Sequence, residues 1–469
     1  MTTPAIHPGT DPSESVVSDP SPAHDLAHDP APASSPDPTS ALTLDPSPTP
    51  SPTPSPTSTS DPTSDPTPGW RHDWRSRLGR WARHHGPVLA LYGVLKLIGF
   101  SVFMYLLNSA GEYRKRDPRF GGGAHAWDVL ASWDGWWYQQ IAAHGYDPAL
   151  VPVPGAQGLI TLEGNSAAFF PLYPATMRIV SEGTGLGLYG SGMLVSVVAS
   201  FVAALGIYAV TARFGGRRAG LAAAGLWAVW PGSGMEWAAY SESLYVALAV
   251  WACHAVMSDR WLTAGVLTFA AGLNRPTAVA LIAALTVAGL LALHRRQDDI
   301  ARPWTAILIA PLGLFGYLLW VGNRMGDLTG YFKLQKGAWA HTFDYGEQTV
   351  DVFTSMAVGH FDYLFAYPFE DTIGAAVVLL AALLIPLLIR LRPPAVLVVY
   401  TLLTIALVLG SQQIFGNVSR YLLPVFPLFI PLAVKLRGLG LPTLFTLLGI
   451  TAVASGSYAG YVLFELGVP

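Results

Sequence analysis

About eleven apolar stretches, most of them close to the length of a membrane span, follow residue 87 of this 469-residue chain. A helix needs roughly 20 apolar residues to cross the hydrocarbon core of a bilayer. Only 12% of the residues are charged, about half of the roughly 25% typical of soluble domains. We therefore predict an all-α polytopic membrane protein. The stretches lie near 88–107, 187–212, 219–235, 240–257, 261–274, 277–293, 304–321, 372–389, 395–410, 421–434 and 441–463.

The chain begins with a segment of quite different composition. Residues 1–70 hold 18 of the 38 prolines, nine acidic residues and no Lys or Arg. Such a segment cannot bury enough apolar surface to offset the cost of ordering its backbone. We expect residues 1–69 to be a disordered cytoplasmic tail rather than a signal peptide, because a basic region followed by an apolar one is missing. Residues 70–86 alternate Arg with Trp and Leu, which predicts a basic amphipathic helix on the membrane surface rather than a nucleic-acid site.

The charges of the connecting loops predict the topology. With a cytoplasmic N-terminus, 16 of the 27 Lys and Arg residues lie inside, ten lie outside, and Lys96 falls within the first span. This distribution follows the positive-inside rule, and we expect a multi-pass protein of the plasma membrane. Two outer segments, 110–185 and 323–370, are too long for simple turns. Because long ordered loops commonly carry function, we expect a functional site on the extracytoplasmic side.

The first outer loop contains a dense group of aromatic residues around one carboxylate. In a helix, Asp134, Trp137, Tyr138 and Ile141 would share a face. A carboxylate that is partly withdrawn from water among aromatic rings binds a proton more readily, as a general base for a sugar hydroxyl must. The alternative is an interfacial aromatic belt in which Asp134 only caps a helix. Asp128, in a second Trp-Asp pair, is the runner-up for the base.

Five strings in order together carry a resemblance to a known family. They are Trp133-Asp-Gly-Trp-Trp-Tyr138, Ala168-Phe-Phe-Pro-Leu-Tyr-Pro174, Tyr240-Ser-Glu-Ser-Leu-Tyr245, Asn274-Arg-Pro-Thr277 and Ser419-Arg-Tyr-Leu-Leu-Pro-Val-Phe-Pro427. The chain resembles the bacterial branch of the PIG-V mannosyltransferase family over about residues 90–465. The resemblance implies that residues 87–469 form a GT-C-type transmembrane glycosyltransferase domain with an outward-facing site.

The resemblance also implies a reaction and a set of residues. The donor would be a polyprenyl-phosphate sugar, most commonly mannose, and the acceptor an unidentified lipid, glycan or protein. Asp134 would deprotonate the acceptor hydroxyl, and the anomeric centre would be inverted. Substrate contacts are expected from Trp133, Trp137, Tyr138, His144, Tyr146, Phe170, Tyr173 and Glu242.

A phosphate leaving group requires a cation, preferably a guanidinium that binds two oxygens. Arg275 and Arg420 are the outer arginines nearest to predicted span ends, so they are candidate phosphate ligands; ordinary snorkelling is the alternative. Glu242 could orient an arginine or the acceptor, or be a solvated acid at a helix terminus. We expect no metal cofactor, because the chain contains no Asp-X-Asp pair of the kind that binds a nucleotide-sugar metal, and its outer histidines lack ligand spacing.

Two other classes of function remain open from the sequence. A transporter or flippase of lipid-linked sugars would be expected to show ionisable residues at the bilayer midplane or an internal repeat. Lys96, Glu242 and Asn274 are the main polar exceptions in or near the spans, and no repeat is evident. A silent assembly subunit would share the topology but tolerate the loss of Asp134.

Overall fold

The computed structural model describes residues 70–154, 160–295, 300–361, 363 and 366–467. The predicted tail, 1–69, lies outside the described residues. The described part is mainly helical, as predicted. The α-helices are α1 (Trp70–Ala110), α2 (Asp134–His144), α3 (Leu172–Thr184), α4 (Leu188–Ala228), α5 (Glu242–Val256), α6 (Trp261–Gly272), α7 (Ala278–His294), α8 (Ala301–Ile309), α9 (Leu312–Met325), α10 (Gly330–Trp339), α11 (Glu347–Val358), α12 (Pro368–Arg390), α13 (Ala395–Leu409), α14 (Val418–Tyr421), α15 (Phe429–Leu436) and α16 (Leu441–Ser457), the last continued by a π-helix at Tyr458–Leu466.

All eleven predicted stretches fall on helical segments, and the fold class predicted from them, a polytopic helical membrane protein, is confirmed. In the described part, five helical segments are long and apolar enough to span a bilayer, and a pair of helices bent by 78° (Phe415–Tyr421 with Phe426–Leu436) makes a sixth. Four shorter apolar helices, α5, α6, α7 and α13, account for the stretches that were near the minimum length. Helix α1 joins the predicted surface helix to the first span without a break.

Helix α4 is two helices that fold back on each other rather than one continuous helix. It is 41 residues long, but Gly216 has φ 73° and ψ −173°, which breaks the helix. The two halves then fold against each other, since a Cβ on Gly220 would lie 2.9 Å from the carbonyl oxygen of Tyr208. Residues twelve apart in one continuous helix would be separated by about 18 Å. The two predicted stretches 187–212 and 219–235 therefore lie on opposite sides of the break at Gly216.

The predicted polar exception Lys96 is neutralised inside the bundle. Its Nζ lies 3.0 Å from Glu236 Oε2 and donates to the carbonyl oxygen of Ser233 at 2.7 Å. Both partners belong to a 3₁₀-helix, Pro231–Glu236, that follows α4. A buried charge is tolerated when it is paired and hydrogen-bonded in this way. Lys96 thus ties the segment before α5 to α1.

Both long loops, which the charge pattern predicts to lie outside, are structured. The first contains 3₁₀-helices at Glu112–Lys115, Pro118–Phe120, Ala126–Ala131 and Ser166–Ala168, helices α2 and α3, and an antiparallel pair of strands, β1 (Pro152–Pro154) and β2 (Ile160–Leu162). The second contains α10, β3 (Thr342–Phe343) and α11. Strand β3 pairs with β4 (Ser411–Gln412), with Thr342 opposite Gln412. This pairing ties the second loop to the segment that leads into α14.

The short loops meet at one end of the bundle. Arg213, at the α4 hairpin, donates through Nη1 to the carbonyl oxygen of Met257 at 2.6 Å, and a Cβ on Gly215 would lie 3.6 Å from Arg437 Nη1. Helix α5 links this basic end to Glu242 at its other terminus, 15 residues or about 22 Å away. The structured loops and the basic loops therefore lie at opposite ends.

Candidate active site

Asp134 is the first residue of α2, and an unusual backbone conformation places it there. The residue before it, Trp133, has φ 56° and ψ −118°, a region that side-chain-bearing residues rarely adopt. The Trp133 amide donates to the carbonyl oxygen of Arg119 at 2.9 Å, and its ring packs against Phe120. These contacts hold the turn, and the helix N-terminus favours the negative charge of Asp134. The Asp134 side chain is 28% exposed.

Four charged side chains from four separate segments form one continuous chain of ion pairs, which we call the charge relay. Arg420 Nη2 donates to Asp134 Oδ2, and Arg420 Nε donates to Glu242 Oε1 at 2.6 Å. Arg275 Nη1 lies 2.8 Å from the same Glu242 oxygen. Two acids and two arginines leave the charge relay with no net charge. Asp134 and Arg275 (17% exposed) are its accessible ends, because Glu242 and Arg420 are only 2% and 3% exposed.

Ser241 accepts hydrogen bonds from three side chains around the charge relay. Its Oγ accepts from Tyr138 at 2.8 Å and from Arg275 Nη1 at 3.0 Å. Its carbonyl oxygen accepts from Asn274 Nδ2 at 2.9 Å. Burial raises the pKa of Tyr138 well above its usual value, so the phenol remains a hydrogen-bond donor. The Arg420 guanidinium also lies over the ring of Tyr240, 4.7 Å from its centroid, a contact that stabilises a desolvated cation.

Arg119 is another arginine of this region, and its carbonyl oxygen accepts from the amide of Trp133, the residue before Asp134. Its guanidinium lies 4.9 Å from the ring centroids of both Trp136 and Trp137. In the described ranges it makes no ion pair with a carboxylate. The aromatic faces hold the group in place while its N–H donors stay available to an anion. In the sequence, the only sign of a role for Arg119 is that it precedes the string that begins at Trp133.

His341, from the second of these long loops, lies near the charge relay. It lies close enough to Asp134 and Arg420 to be influenced by both charges. Burial lowers the pKa of His341 below its usual value, while Asp134 favours the protonated ring and Arg420 opposes it. The preceding Trp339 packs on Trp137 with ring centroids 6.2 Å apart. In the sequence, His341 lacks metal-ligand spacing, and nothing else there marks it as a site residue.

The remaining predicted residues divide into those near the charge relay and those apart from it. Trp137 stacks on Phe169 at 5.6 Å. Tyr173 packs on Tyr138 at 4.8 Å, and its hydroxyl donates to the carbonyl oxygen of Gly192. They support the face of α2 that carries Asp134.

Four other predicted residues make their contacts away from the charge relay. His144 is exposed at the far end of α2, about 15 Å along the helix from Asp134. Phe170 is buried against Tyr317, and the Tyr146 hydroxyl donates to the carbonyl oxygen of Phe169. Asp128 accepts from the amide of His125 at 2.9 Å and caps a 3₁₀-helix. The structure therefore joins Asp134, Glu242, Arg275 and Arg420, but not Asp128 or His144.

No group of three or more His, Cys, Asp or Glu side chains arranged to hold a metal ion occurs within the described residues. The four ionic groups of the charge relay are already paired with one another. This arrangement allows the partly exposed Asp134 carboxylate to accept a proton next to guanidinium groups that can bind an anion.

Fold and site together define a polytopic helical membrane protein with a charged site at the end that bears the structured loops. No protein-family model and no curated protein sequence matches the chain. Among solved structures, it is similar to the apo form of the Archaeoglobus fulgidus oligosaccharyltransferase, with a TM-score of 0.46 and 13% identity over 80% of this chain and 56% of that one. It is also similar to ArnT from Cupriavidus metallidurans bound to undecaprenyl phosphate, with a TM-score of 0.43 and 14% identity over 74% of this chain and 60% of that one. The chain thus spans under two thirds of the length of either protein.

Proposed function

We propose that this protein is a GT-C-type membrane glycosyltransferase, similar to the PIG-V family, that transfers mannose from a polyprenyl-phosphate donor to an extracytoplasmic acceptor. The observation that carries the proposal is the charge relay: a partly exposed carboxylate at a helix N-terminus is fixed by a buried arginine. Four of the five family-like strings each supply one of its members. Such a site suits a reaction in which a hydroxyl loses a proton while an anionic group departs.

In the proposed reaction, Asp134 accepts the proton of the acceptor hydroxyl. The hydroxyl oxygen forms a bond to the anomeric carbon as the bond from that carbon to the phosphate oxygen breaks. The bonding electrons leave with the lipid phosphate, and attack from the opposite face inverts the configuration. Arg420 donates to Asp134 Oδ2 and so holds the carboxylate in position for this step.

The two candidate phosphate ligands differ in exposure and in how many of their guanidinium N–H groups already have partners. Arg420 is buried and donates through Nε and Nη2 to two carboxylates, so we assign it to positioning Asp134. Arg275 is more exposed and uses only Nη1 in its contacts with described residues. We therefore propose Arg275, together with Arg119 on its aromatic support, as the ligands of the leaving phosphate.

The test is a transfer assay with the purified full-length protein, polyprenyl-phosphate mannose and a panel of glycan and lipid acceptors. Loss of a general base typically lowers the rate by about 10²- to 10⁴-fold, and we expect this from both Asp134→Asn and Asp134→Ala. Asp128→Asn is the matched control and should retain most of the activity. Transfer that survives both Asp134 substitutions would refute the base assignment, and wild-type protein that transfers from no lipid-phosphate sugar would refute the function.

A further inference from the structure

A polar cavity of ≈ 440 Å³ lies in the second outer loop. Its volume is within the range of about 300–1,000 Å³ that is usual for small-molecule sites. Such sites are mostly lined by apolar residues, whereas every residue that lines this one carries a polar side-chain group. The lining residues are Asp344, Glu347, Gln348, Asp351, Thr354, Ser355, Tyr363 and Gln412. The cavity therefore suits a ligand that makes many hydrogen bonds.

One face of α11 supplies most of this lining. Glu347, Asp351 and Ser355 recur at intervals of four residues, so they lie on the same side of the helix. The Glu347 and Asp351 carboxylates have no hydrogen bond or ion pair with another described residue. Asp344 has a different role, since its Oδ1 accepts from the amide of Gly346 at 2.9 Å and its Oδ2 from the amide of Gln348 at 3.0 Å. Asp344 caps α11, while the other two carboxylates remain available to a ligand.

Gln348 adds an unused donor to these acceptors. It is 8% exposed, and its Oε1 accepts from the amide of Gln413 at 2.6 Å. Because that partner is a donor, the oxygen must face it, and Nε2 is the free end of the carboxamide. Nε2 has no hydrogen-bond partner among the described residues. A buried donor without a partner is unfavourable, so a ligand that offers an acceptor here would be stabilised.

We propose that this cavity binds the glycan portion of the acceptor substrate, an inference that rests on the glycosyltransferase function proposed above. A sugar hydroxyl donates to a carboxylate such as Glu347 or Asp351 and accepts from an amide such as Gln348 Nε2. An ammonium or guanidinium ligand has donors only and would leave Nε2 unpaired. A lipid chain would leave all three groups unpaired.

The position of the cavity fits a glycan whose end reacts at Asp134. Strand β3 separates His341, which responds to the charge of Asp134, from Asp344 at the edge of the cavity. Three residues of extended chain span at most about 10 Å. On the partner strand, Gln412 lines the cavity and Arg420 follows eight residues later. A short oligosaccharide could therefore place its reacting hydroxyl at Asp134 and its other sugars in the cavity.

The binding test uses the full-length protein in nanodiscs with α-mannotriose as the probe and no donor, followed by ligand-observed NMR. We expect saturable binding that Gln348→Ala and Asp351→Asn each weaken by about tenfold, as the loss of one hydrogen bond to a charged or buried group predicts. Asp147→Asn, which alters an exposed acid outside the cavity, is the matched control and should bind normally. Asp351→Asn preserves shape and serves as the conservative variant should Gln348→Ala fold poorly.

The outcomes separate this proposal from the proposed function. Asp134→Asn should lower transfer by about 10²- to 10⁴-fold but leave trisaccharide binding intact. In the transfer assay, the cavity variants should raise the KM for a glycan acceptor about tenfold, with kcat and the KM for the donor unchanged. Binding that is equal in the wild type and both cavity variants, binding of trilysine but not of α-mannotriose, or no sugar binding at all would overturn the proposal. Sugar binding by a wild-type protein that shows no transfer would support the cavity and count against the chemistry.

Discussion

Asp134 and Glu242 each begin a helix, and both accept a hydrogen bond from Arg420. A helix N-terminus stabilises a nearby negative charge by about 0.3–1 kcal/mol, and the guanidinium adds a hydrogen bond to each acid. The arginine needs this arrangement because a buried cation without partners is strongly unfavourable. At the scale of single residues, the charged groups of the site therefore stabilise one another. Asp134 is the most exposed of the four.

His341 is the group through which we expect pH to affect the site. Because burial lowers the pKa of His341, the ring stays neutral at physiological pH and becomes protonated only below the usual value of about 6.5. The protonated ring would compete with Arg420 for Asp134. We expect transfer to decline at acidic pH with a midpoint below 6.5, and His341→Gln to remove that decline. A pH profile of kcat for this variant, with the exposed His360→Gln as the control, checks this; an unchanged acidic limb in His341→Gln would contradict it.

Arg119 provides a separate test of the phosphate site. If its guanidinium binds the lipid phosphate, Arg119→Ala should raise the KM for the donor about tenfold or more, since a charge-assisted hydrogen bond is lost. The KM for the acceptor should change little. The control is Arg178→Ala, which removes an exposed arginine paired with Glu182. Equal donor kinetics in the two variants would exclude Arg119 from the phosphate site.

At the scale of elements, close packing of α1 against α16 depends on glycines. A Cβ on Gly456 would lie 2.4 Å from the carbonyl oxygen of Gly99, and one on Gly460 would lie 2.6 Å from the Cα of Phe103. Small residues spaced four apart allow membrane helices to approach this closely. Because α1 leads directly into the first outer loop, this contact helps to position the loop that carries Asp134.

We expect Gly456→Ala to destabilise the protein by about 1–3 kcal/mol, because the obstructing atoms belong to the backbone and cannot rotate away. Gly449→Ala lies in the same helix but meets nothing within 4 Å. It should be neutral or stabilising, since alanine favours a helix interior over glycine by about 1 kcal/mol. Thermal unfolding of both variants in one detergent checks the contrast, which equal changes in Tm would contradict.

Local elements could be predicted from the sequence, whereas contacts between distant segments could not. Hydropathy is a local property, so all eleven stretches could be located, and α2 was predicted as the helix that carries Asp134. Hydropathy could not reveal that Arg420 pairs with a carboxylate 286 positions away, because that contact depends on how the helices assemble. Arg119 and His341 belong to no family-like string. His341 comes close enough to Asp134 to be influenced by its charge, and Arg119 lies against Trp136 and Trp137 of α2. Both contacts exist only in the folded chain.

At the scale of the whole molecule, the basic loops and the charge relay lie at opposite ends of α5. The positive-inside rule then predicts that the relay faces outward. The chain itself provides a labelling test, because its single cysteine, Cys253, is buried with 0% exposure. Gly183→Cys, at the end of α3, and Gly438→Cys, between α15 and α16, add one exposed thiol at each end. At neither position would an added Cβ meet an atom closer than 3.8 Å.

In intact cells, a membrane-impermeant maleimide should label Gly183→Cys, and it should label Gly438→Cys only after the membrane is permeabilised. The unsubstituted protein should remain unlabelled in both conditions and serves as the control for Cys253. The reverse pattern would place Asp134 on the cytoplasmic face. A cytoplasmic site would have access to nucleotide sugars, and the proposal of a lipid-phosphate donor at an outer site would then be wrong. Labelling thus tests the orientation on which the proposed chemistry depends, independently of any assay of transfer.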